Sequence, residues 1–143
     1  MQFNYNDGGR SAAGFKGNTG DCVCRSIAII TGLPYQEVYS VLNHLGSLER
    51  TGKNKSGKRS NARTGVFKQT IKTYLKSLGY IWTPTMFVGK GCQVHLKAEE
   101  LPSGRLIVSV SKHLVAVIDG VIHDTHNCSR GGTRCVYGYW KKS

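Results

Sequence analysis

The hydrophobic period of this 143-residue chain changes once, near Gly79, and this change constrains the fold more than any other feature. Before that glycine, apolar residues recur at helical spacing, whereas beyond it the period shifts toward two. The later apolar segments are short, β-branched or aromatic, and separated by Gly, Pro or Asp: "YIWTPT", "QVHLK", "RLIVSVS", "HLVAVIDG", "VIHDT" and "CVYGYW". The pattern predicts an α+β protein in which N-terminal helices pack on a C-terminal antiparallel sheet.

The first half of the chain predicts three helices and one short strand. Asp21 is a suitable N-cap for the first helix, which Gly32 ends. The second helix, "PYQEVYSVLNHL", has Pro34 in its first turn, and the third, "VFKQTIKTYLKSLG", stops at Gly79. "QFNY", in the Gly-rich N-terminal arm, is a candidate edge strand.

One segment, residues 46–65, resembles a linker in composition, being rich in Gly, Ser, Asn and Lys. A domain boundary there would leave only two helices on its N-terminal side, too few for an independent core. We therefore expect one domain over residues 1–143, with a basic mobile loop at 46–65.

Basic residues are concentrated in the segment from Arg50 to Lys76, which holds nine Lys and Arg and no acidic residue. The whole chain has 20 Lys and Arg against 8 Asp and Glu, a formal charge of +12. Such a charge excess favours an anionic partner, either an acidic protein or peptide or a nucleic acid or nucleotide.

The chain carries no apolar run long enough to cross a membrane and no leader-like pattern of basic and then apolar residues at its start. We therefore expect a cytoplasmic protein with no membrane partner. The five cysteines are an odd number, and in a reducing compartment they argue against a disulfide framework. Metal binding, catalysis and burial remain open for them.

Cys22 lies at the predicted start of the first helix, where unpaired N–H groups and the helix dipole favour a thiolate. His113 opens the most hydrophobic predicted strand and is the best candidate base. A hairpin turning at Asp119-Gly120 pairs residues whose numbers sum to about 239, which brings Asp124 near Val115 and within reach of His113. The sequence predicts a Cys-His-Asp triad.

Two short segments that carry these residues resemble known enzymes. "GDCVCRSIA" is similar to the nucleophile segment of ovarian-tumour-type deubiquitinases, and "HLVAVIDGVIHDT" resembles the His and Asp strands of bacteriocin-processing peptidases. Both groups belong to the papain-like cysteine peptidase superfamily. The chain also resembles small phage proteins with papain-like sites, and a phage protein of this kind would act in the host cytoplasm.

The resemblance implies a papain-like fold and a cysteine-dependent hydrolase that forms a thioester, acting as a peptidase or isopeptidase or in a related amidase or acyl-transfer reaction. Papain-like enzymes place an oxyanion-hole Gln about six residues before the Cys, where this chain has Lys16. The candidates for that role here are Asn18 and the backbone N–H of Cys22. We expect no cofactor and no metal in this site.

Three arginines are candidate substrate-binding residues. Arg63 lies in the basic segment, and Arg130 and Arg134 lie in the Gly-rich stretch "CSRGGTRC", which is able to hold a carboxylate or phosphate. Cys24 is predicted to fill the core. Packing or surface positions are expected for three further thiols, of which the first could line the site: Cys128, Cys92 and Cys135.

Other functions fit the same sequence. The basic segment 50–76 could bind nucleic acid or a nucleotide without catalysis, with Tyr74, Tyr80 or Trp82 as stacking groups. A papain-like domain whose site has lapsed into an interaction surface is another alternative. Structural zinc is also open, with ligands drawn from a set spread along the chain: Cys22, Cys24, His123, His126, Cys128 and Cys135.

Overall fold

The computed structural model describes residues 1–15, 21–49, 61–62 and 66–142. Within them the chain is α+β, with three helices, six strands and two 3₁₀ turns. The helices are α1 (Cys22–Thr31), α2 (Tyr35–Ser47) and α3 (Lys68–Ser77). The strands are β1 (Gln2–Tyr5), β2 (Tyr80–Pro84), β3 (Arg105–Val110), β4 (His113–Ile118), β5 (Val121–Asp124) and β6 (Val136–Lys142). The 3₁₀ turns are Ala98–Glu100 and Arg130–Gly132.

The six strands form one sheet in the order β1-β5-β4-β3-β6-β2. All neighbours are antiparallel except β1 and β5, which run parallel with Gln2 opposite Val121 and Tyr5 opposite Asp124. The sheet is therefore mixed, and the prediction of a purely antiparallel sheet is wrong at this edge. Most of the chain separates β1 from β5, so no tight turn dictates their relative direction.

The hairpin of β4 and β5 has the predicted register. Ala116 lies opposite His123, and Ile118 lies opposite Val121. Asp119 and Gly120 both have positive φ, 48° and 80°, as a two-residue turn of the I′ type requires. This register places the start of β4 beside the end of β5.

The sheet is covered on both faces, but by different kinds of structure. The helices cover one face, where Ile27 of α1, Leu42 of α2 and Leu75 of α3 are fully buried. Irregular segments cover the other face, where Leu96 packs with Val108 of β3. Because both faces are covered, β3 and β4 have nearly continuous buried runs, and each fully buried Leu or Ile contributes about 1.5–3 kcal/mol to folding.

The segment "QVHLK" does not form the predicted strand. Its only ladder contact among the described residues is an isolated bridge between His95 and Cys135. Beside this bridge, Cys92 and Cys135 form a disulfide across a separation of 43 residues, with Cα atoms 5.7 Å apart. The prediction that both are unpaired thiols is wrong, because a pairing made by irregular backbone leaves no periodic signal in the sequence.

The three helices confirm the predicted ones within a few residues at each end. None of the helices in the described ranges is long and apolar enough to cross a membrane. The predicted loop at 46–65 overlaps the end of α2, and its central part, residues 50–60 and 63–65, lies outside the described residues.

Candidate active site

Cys22 is the first residue of α1, a helix that is buried from Val23 to Ile30 and packs on β4. The Ser26 hydroxyl, one turn further along, donates a hydrogen bond to the carbonyl oxygen of Leu114 at 2.8 Å. This contact fixes the start of α1 beside the start of β4. A half-buried thiol is thereby held next to the residue that opens that strand, His113.

The structure brings Cys22, His113 and Asp124 together. His113 and Cys22 line the same cleft, and Nε2 of His113 lies 2.6 Å from Oδ2 of Asp124. The side chains of His113 and Asp124 are only 12% and 5% exposed, so water screens this pair little. The three groups form a thiol–imidazole–carboxylate relay in the chain order predicted.

The relay shifts the pKa of each of its members. Burial raises the pKa of the Cys22 thiol, but the hydrogen bond and the charge of His113 outweigh it, so the pKa lies below its ordinary value. Burial lowers the pKa of the His113 imidazole, whereas hydrogen bonds to Asp124 and to two thiols raise it well above its usual range. Burial likewise raises the pKa of Asp124, and its contacts with His113 bring it below the ordinary value. All three shifts favour the charged form of the group: thiolate for Cys22, imidazolium for His113 and carboxylate for Asp124.

Arg25 is a buried residue of the site that sequence reasoning missed. Its Nη1 lies 3.2 Å from Oδ1 of Asp124 and donates to the Thr125 hydroxyl at 2.6 Å, and its Nε lies 3.1 Å from Oδ1 of Asp21. Because Asp124 therefore faces two cations, Arg25 and His113, its carboxylate stays ionised. The position of Arg25 on α1, one helical turn after Cys22, could have indicated these contacts, because a buried Arg requires an acidic partner.

Asp21 occupies the N-cap position of α1 but does not cap the helix with its side chain. The carboxylate instead lies 3.2 Å from Nε of Arg10 and accepts a hydrogen bond from the Tyr35 hydroxyl at 2.7 Å. The predicted cap is therefore wrong in mechanism, because buried partners compete for the carboxylate. As a consequence, Asp21 leaves the first N–H groups of α1 uncapped.

A cleft of about 660 Å³ opens onto the relay. Cys22, Arg25 and His113 line it together with two lysines, Lys68 and Lys112. His126, which the sequence offered only as a candidate zinc ligand, also lines the cleft, with its ring centroid 5.4 Å from that of His113.

A smaller cavity of about 270 Å³ adjoins this cleft, and the two share lining residues on α3 and β3. Trp82 and Trp140 line it, with their rings 5.3 Å apart, and Lys68 and Lys72 lie at its rim. Of the predicted stacking groups, Trp82 is half-buried here, but Tyr74 and Tyr80 are buried in the core. The prediction that these two tyrosines stack on bases is wrong, because their rings pack under the helices.

Two further cysteines lie near the site and differ in character. Cys24 is fully buried, as predicted; burial raises its pKa to about 12, and its thiol donates to the Tyr35 carbonyl oxygen at 3.8 Å. Cys128 is buried too, but its sulfur lies within 4.8 Å of a His113 ring nitrogen and an Asp124 oxygen. It therefore lines the relay, as its position four residues beyond Asp124 suggested.

The remaining predicted site residues differ in where they lie relative to the relay and in whether the structure describes them. Asn18 and Arg63 lie outside the described residues. Arg130 is exposed on the second 3₁₀ turn, where a contact with a substrate stays a prediction. The Arg134 guanidinium donates to the backbone carbonyl oxygens of Cys128 and Ser111, so it joins two segments that flank the site.

The residues named for structural zinc do not assemble into one cluster. In the parts of the chain that the structure describes, only two groups of His, Cys and acidic residues are close enough to share an ion. One comprises His113, Asp124 and Cys128, and the other comprises Cys92, His95 and Cys135. The first is already engaged in the relay.

Comparisons of the chain with protein-family models, with curated proteins and with solved structures found no match. The functional argument therefore rests on the geometry of the relay and its cleft.

Proposed function

We propose that this protein is a cysteine-dependent hydrolase with a papain-like arrangement of residues, acting on a peptide or isopeptide amide. The observation that carries the proposal is the relay itself: Cys22 and His113 line one cleft, and Nε2 of His113 lies 2.6 Å from Oδ2 of Asp124. Thiol, base and orienting acid in contact at the edge of a cleft are the components of nucleophilic catalysis.

The proposed reaction has two halves. The Cys22 thiolate attacks the carbonyl carbon of the substrate, the C–N bond breaks, and the His113 imidazolium gives its proton to the departing amine. A thioester now joins the acyl group to Cys22. In the second half, His113 takes a proton from water as the water attacks the thioester, which releases a carboxylic acid and restores the thiolate–imidazolium pair. Asp124 holds the ring in place throughout.

The oxyanion formed in each half requires hydrogen-bond donors. The start of α1 supplies candidates, because the Asp21 side chain does not cap it and the Cys22 N–H is close to the attacking sulfur by covalent geometry. The positive end of the helix dipole also lies there and favours a developing negative charge.

The charge of the cleft supports an acidic substrate. Lys68 and Lys112 are exposed and line the cleft, one on α3 and the other in the turn between β3 and β4. No acidic residue is among those that line the cleft in the described part of the chain. A peptide with carboxylates flanking the scissile bond would therefore be attracted to it.

The first test of the proposal is the reactivity of the thiols toward iodoacetamide near neutral pH, read by mass spectrometry of peptides. Cys22 should be alkylated far faster than Cys24 and Cys128, because Cys22 is only half-buried and its pKa is lowered, whereas the other two thiols are buried. Cys24 serves as the matched control on the same helix. Equal, slow alkylation of all three would contradict a catalytic role for Cys22.

The second test is turnover. A library of fluorogenic peptide and isopeptide substrates, matched in length and differing in acidic content, should yield products with the wild-type protein and none with Cys22→Ala. The reaction should form an acyl-enzyme at Cys22, and hydroxylamine should cleave its thioester, releasing the acyl group as a hydroxamate and freeing the thiol. Undiminished product formation by Cys22→Ala would overturn the proposal.

A further inference from the structure

Two segments, one between β2 and β3 and the other directly before β6, bring together a second cluster of cysteine and histidine side chains, separate from the relay. The sulfur atoms of Cys92 and Cys135 and a ring nitrogen of His95 all lie within 4.8 Å of one another. In the structure the two sulfurs are bonded as a disulfide. A disulfide by itself needs no imidazole, so the presence of His95 requires another explanation.

The backbone holds two of the three residues, His95 and Cys135, beside each other independently of the sulfur–sulfur bond. His95 and Cys135 face each other across an isolated antiparallel bridge. On either side of it, the Leu96 N–H donates to the Arg134 carbonyl oxygen and the Val136 N–H donates to the Val94 carbonyl oxygen, both at 2.8 Å. If the disulfide were broken, these backbone hydrogen bonds would therefore still hold His95 and Cys135 beside each other.

The His95 ring is oriented as metal-binding imidazoles usually are. Its Nδ1 lies 3.2 Å from Oε1 of Glu100, and the same oxygen accepts the His95 backbone N–H at 3.2 Å. The other ring nitrogen, Nε2, has no hydrogen-bond partner among the residues that the structure describes. A carboxylate partner on one ring nitrogen fixes the tautomer, and such a partner commonly accompanies histidines that bind metals.

We propose that Cys92, His95 and Cys135 form a zinc site when the disulfide is reduced. Two thiolates and one imidazole suit Zn²⁺, and three protein ligands leave its fourth position for water or another small ligand. A thiol reductant supplies two electrons and two protons to the sulfur–sulfur bond and is itself oxidised to a disulfide. The two resulting thiols lose their protons as they bind the ion.

Solvent reaches this cluster, as both the reduction of the disulfide and the binding of a metal ion require. Cys92 is exposed, and His95 and Cys135 are half-buried. The site is also independent of the proposed hydrolase activity, since none of its three residues lines the cleft beside Cys22.

The test is a titration of the protein with Co²⁺ and then Zn²⁺, after reduction with a phosphine that is removed before the metal is added. The reduced wild-type protein should bind one Co²⁺ with an intense thiolate charge-transfer band, and Zn²⁺ should displace it. The oxidised protein should show no such band, because its two sulfurs are bonded to each other.

Variants identify the ligands. Cys92→Ser and His95→Gln should each weaken Zn²⁺ binding by at least about 10-fold, and Glu100→Gln, which keeps all three ligands, by about 10-fold. Cys128→Ser is the matched control, since it removes a thiol from the other cluster, and it should leave the affinity within about 2-fold. Circular dichroism reports whether each variant folds, and Glu100→Gln keeps the test decisive if Cys92→Ser does not. Absence of the band in the reduced wild type, or its loss in Cys128→Ser alone, would overturn the proposal.

Discussion

The protein contains two clusters in which a histidine stands between cysteine sulfur and a carboxylate. In the first, His113 lies between Cys22 and Asp124; in the second, His95 lies between the Cys92–Cys135 disulfide and Glu100. The chemical groups are nearly the same. Their surroundings differ, because the His113–Asp124 pair is buried whereas Glu100 is 29% and His95 36% exposed in their side chains.

The difference in burial changes how strongly the charged groups of each cluster act on the neighbouring sulfur atoms. In the first cluster, the charges of Asp124 and Arg25 are removed from water and act strongly on His113 and Cys22. In the second, water and the long exposed side chains weaken the same kind of contact. The buried cluster favours a charged thiolate, whereas the open one favours exchange between a disulfide and metal binding.

The largest expected effect concerns the arginine that joins the two buried carboxylates. Arg25→Met leaves Asp21 and Asp124 buried with fewer cationic partners, so the free energy of unfolding should fall by about 3–5 kcal/mol. Its counterpart in the open cluster is Lys97, whose ammonium lies 3.9 Å from Glu100. Lys97→Met should change stability by less than about 1 kcal/mol. Urea unfolding measures both, and equal losses would remove the distinction between the clusters.

The next largest effect is expected from the disulfide between Cys92 and Cys135, in the more exposed cluster. Reduction of the disulfide should lower the free energy of unfolding by about 2–4 kcal/mol, because the bond closes a long loop in the unfolded chain. The measurement is urea unfolding with and without a phosphine reductant. Cys128→Ser should remain sensitive to the reductant, whereas Cys92→Ser should lose this sensitivity. A wild-type protein indifferent to reduction would show that the bond does not stabilise the fold.

A third prediction compares the two histidines as activators of neighbouring sulfur. His113→Ala should slow the alkylation of Cys22 at pH 6 by about 100-fold, because only the weaker effects of Leu114 and Arg25 then oppose the rise in thiol pKa that burial causes. In the reduced protein, His95→Ala should change the alkylation rate of Cys92 by less than about 3-fold, since Cys92 is exposed. The readout is the rate of iodoacetamide labelling at each cysteine. Similar factors for the two pairs would contradict the role given to burial.

The smallest effect is a displacement of the pH profile. The lowered pKa of Cys22 means that its thiolate persists below the ordinary thiol range and is lost only as the pH falls through the lowered value. Asp124→Asn removes a carboxylate that raises the pKa of His113, so the imidazolium stabilises the thiolate less. The acid limb should move to higher pH, with labelling of Cys22 about tenfold slower at pH 6. An unchanged acid limb would show that Asp124 does not act through His113.

The sequence allowed much of the relay to be predicted, because its parts lie on regular elements. The period-two segments and the Asp119-Gly120 turn fix the register of β4 and β5, which in turn brings Asp124 to His113. Cys22 was found from the helix start alone. These features depend on local patterns that a single sequence displays.

What the sequence did not reveal depends on contacts between distant and irregular segments. The parallel pairing of β1, the bond between Cys92 and Cys135, and the carboxylate contacts of Arg25 are all set by tertiary packing. Asp21 illustrates the limit, since its helix-capping position was predicted but its side chain turns to buried partners. The tendency of an Asp side chain to cap a helix is overridden when its carboxylate is buried, because a buried charge must be paired.

The pairing of β1 with β5 bears on how the protein is made. β1 is synthesised well before its partner β5, which ends with Asp124, and Asn6 donates its N–H to the Asp124 carbonyl oxygen at 2.9 Å. At roughly 5–20 residues per second, Cys22 is exposed for several seconds before His113 and Asp124 are synthesised. During that time its thiol lacks the partners that lower its pKa. In the nascent chain, therefore, Cys22 lacks the lowered pKa of the folded protein, and it acquires this pKa only when β4 and α1 pack together.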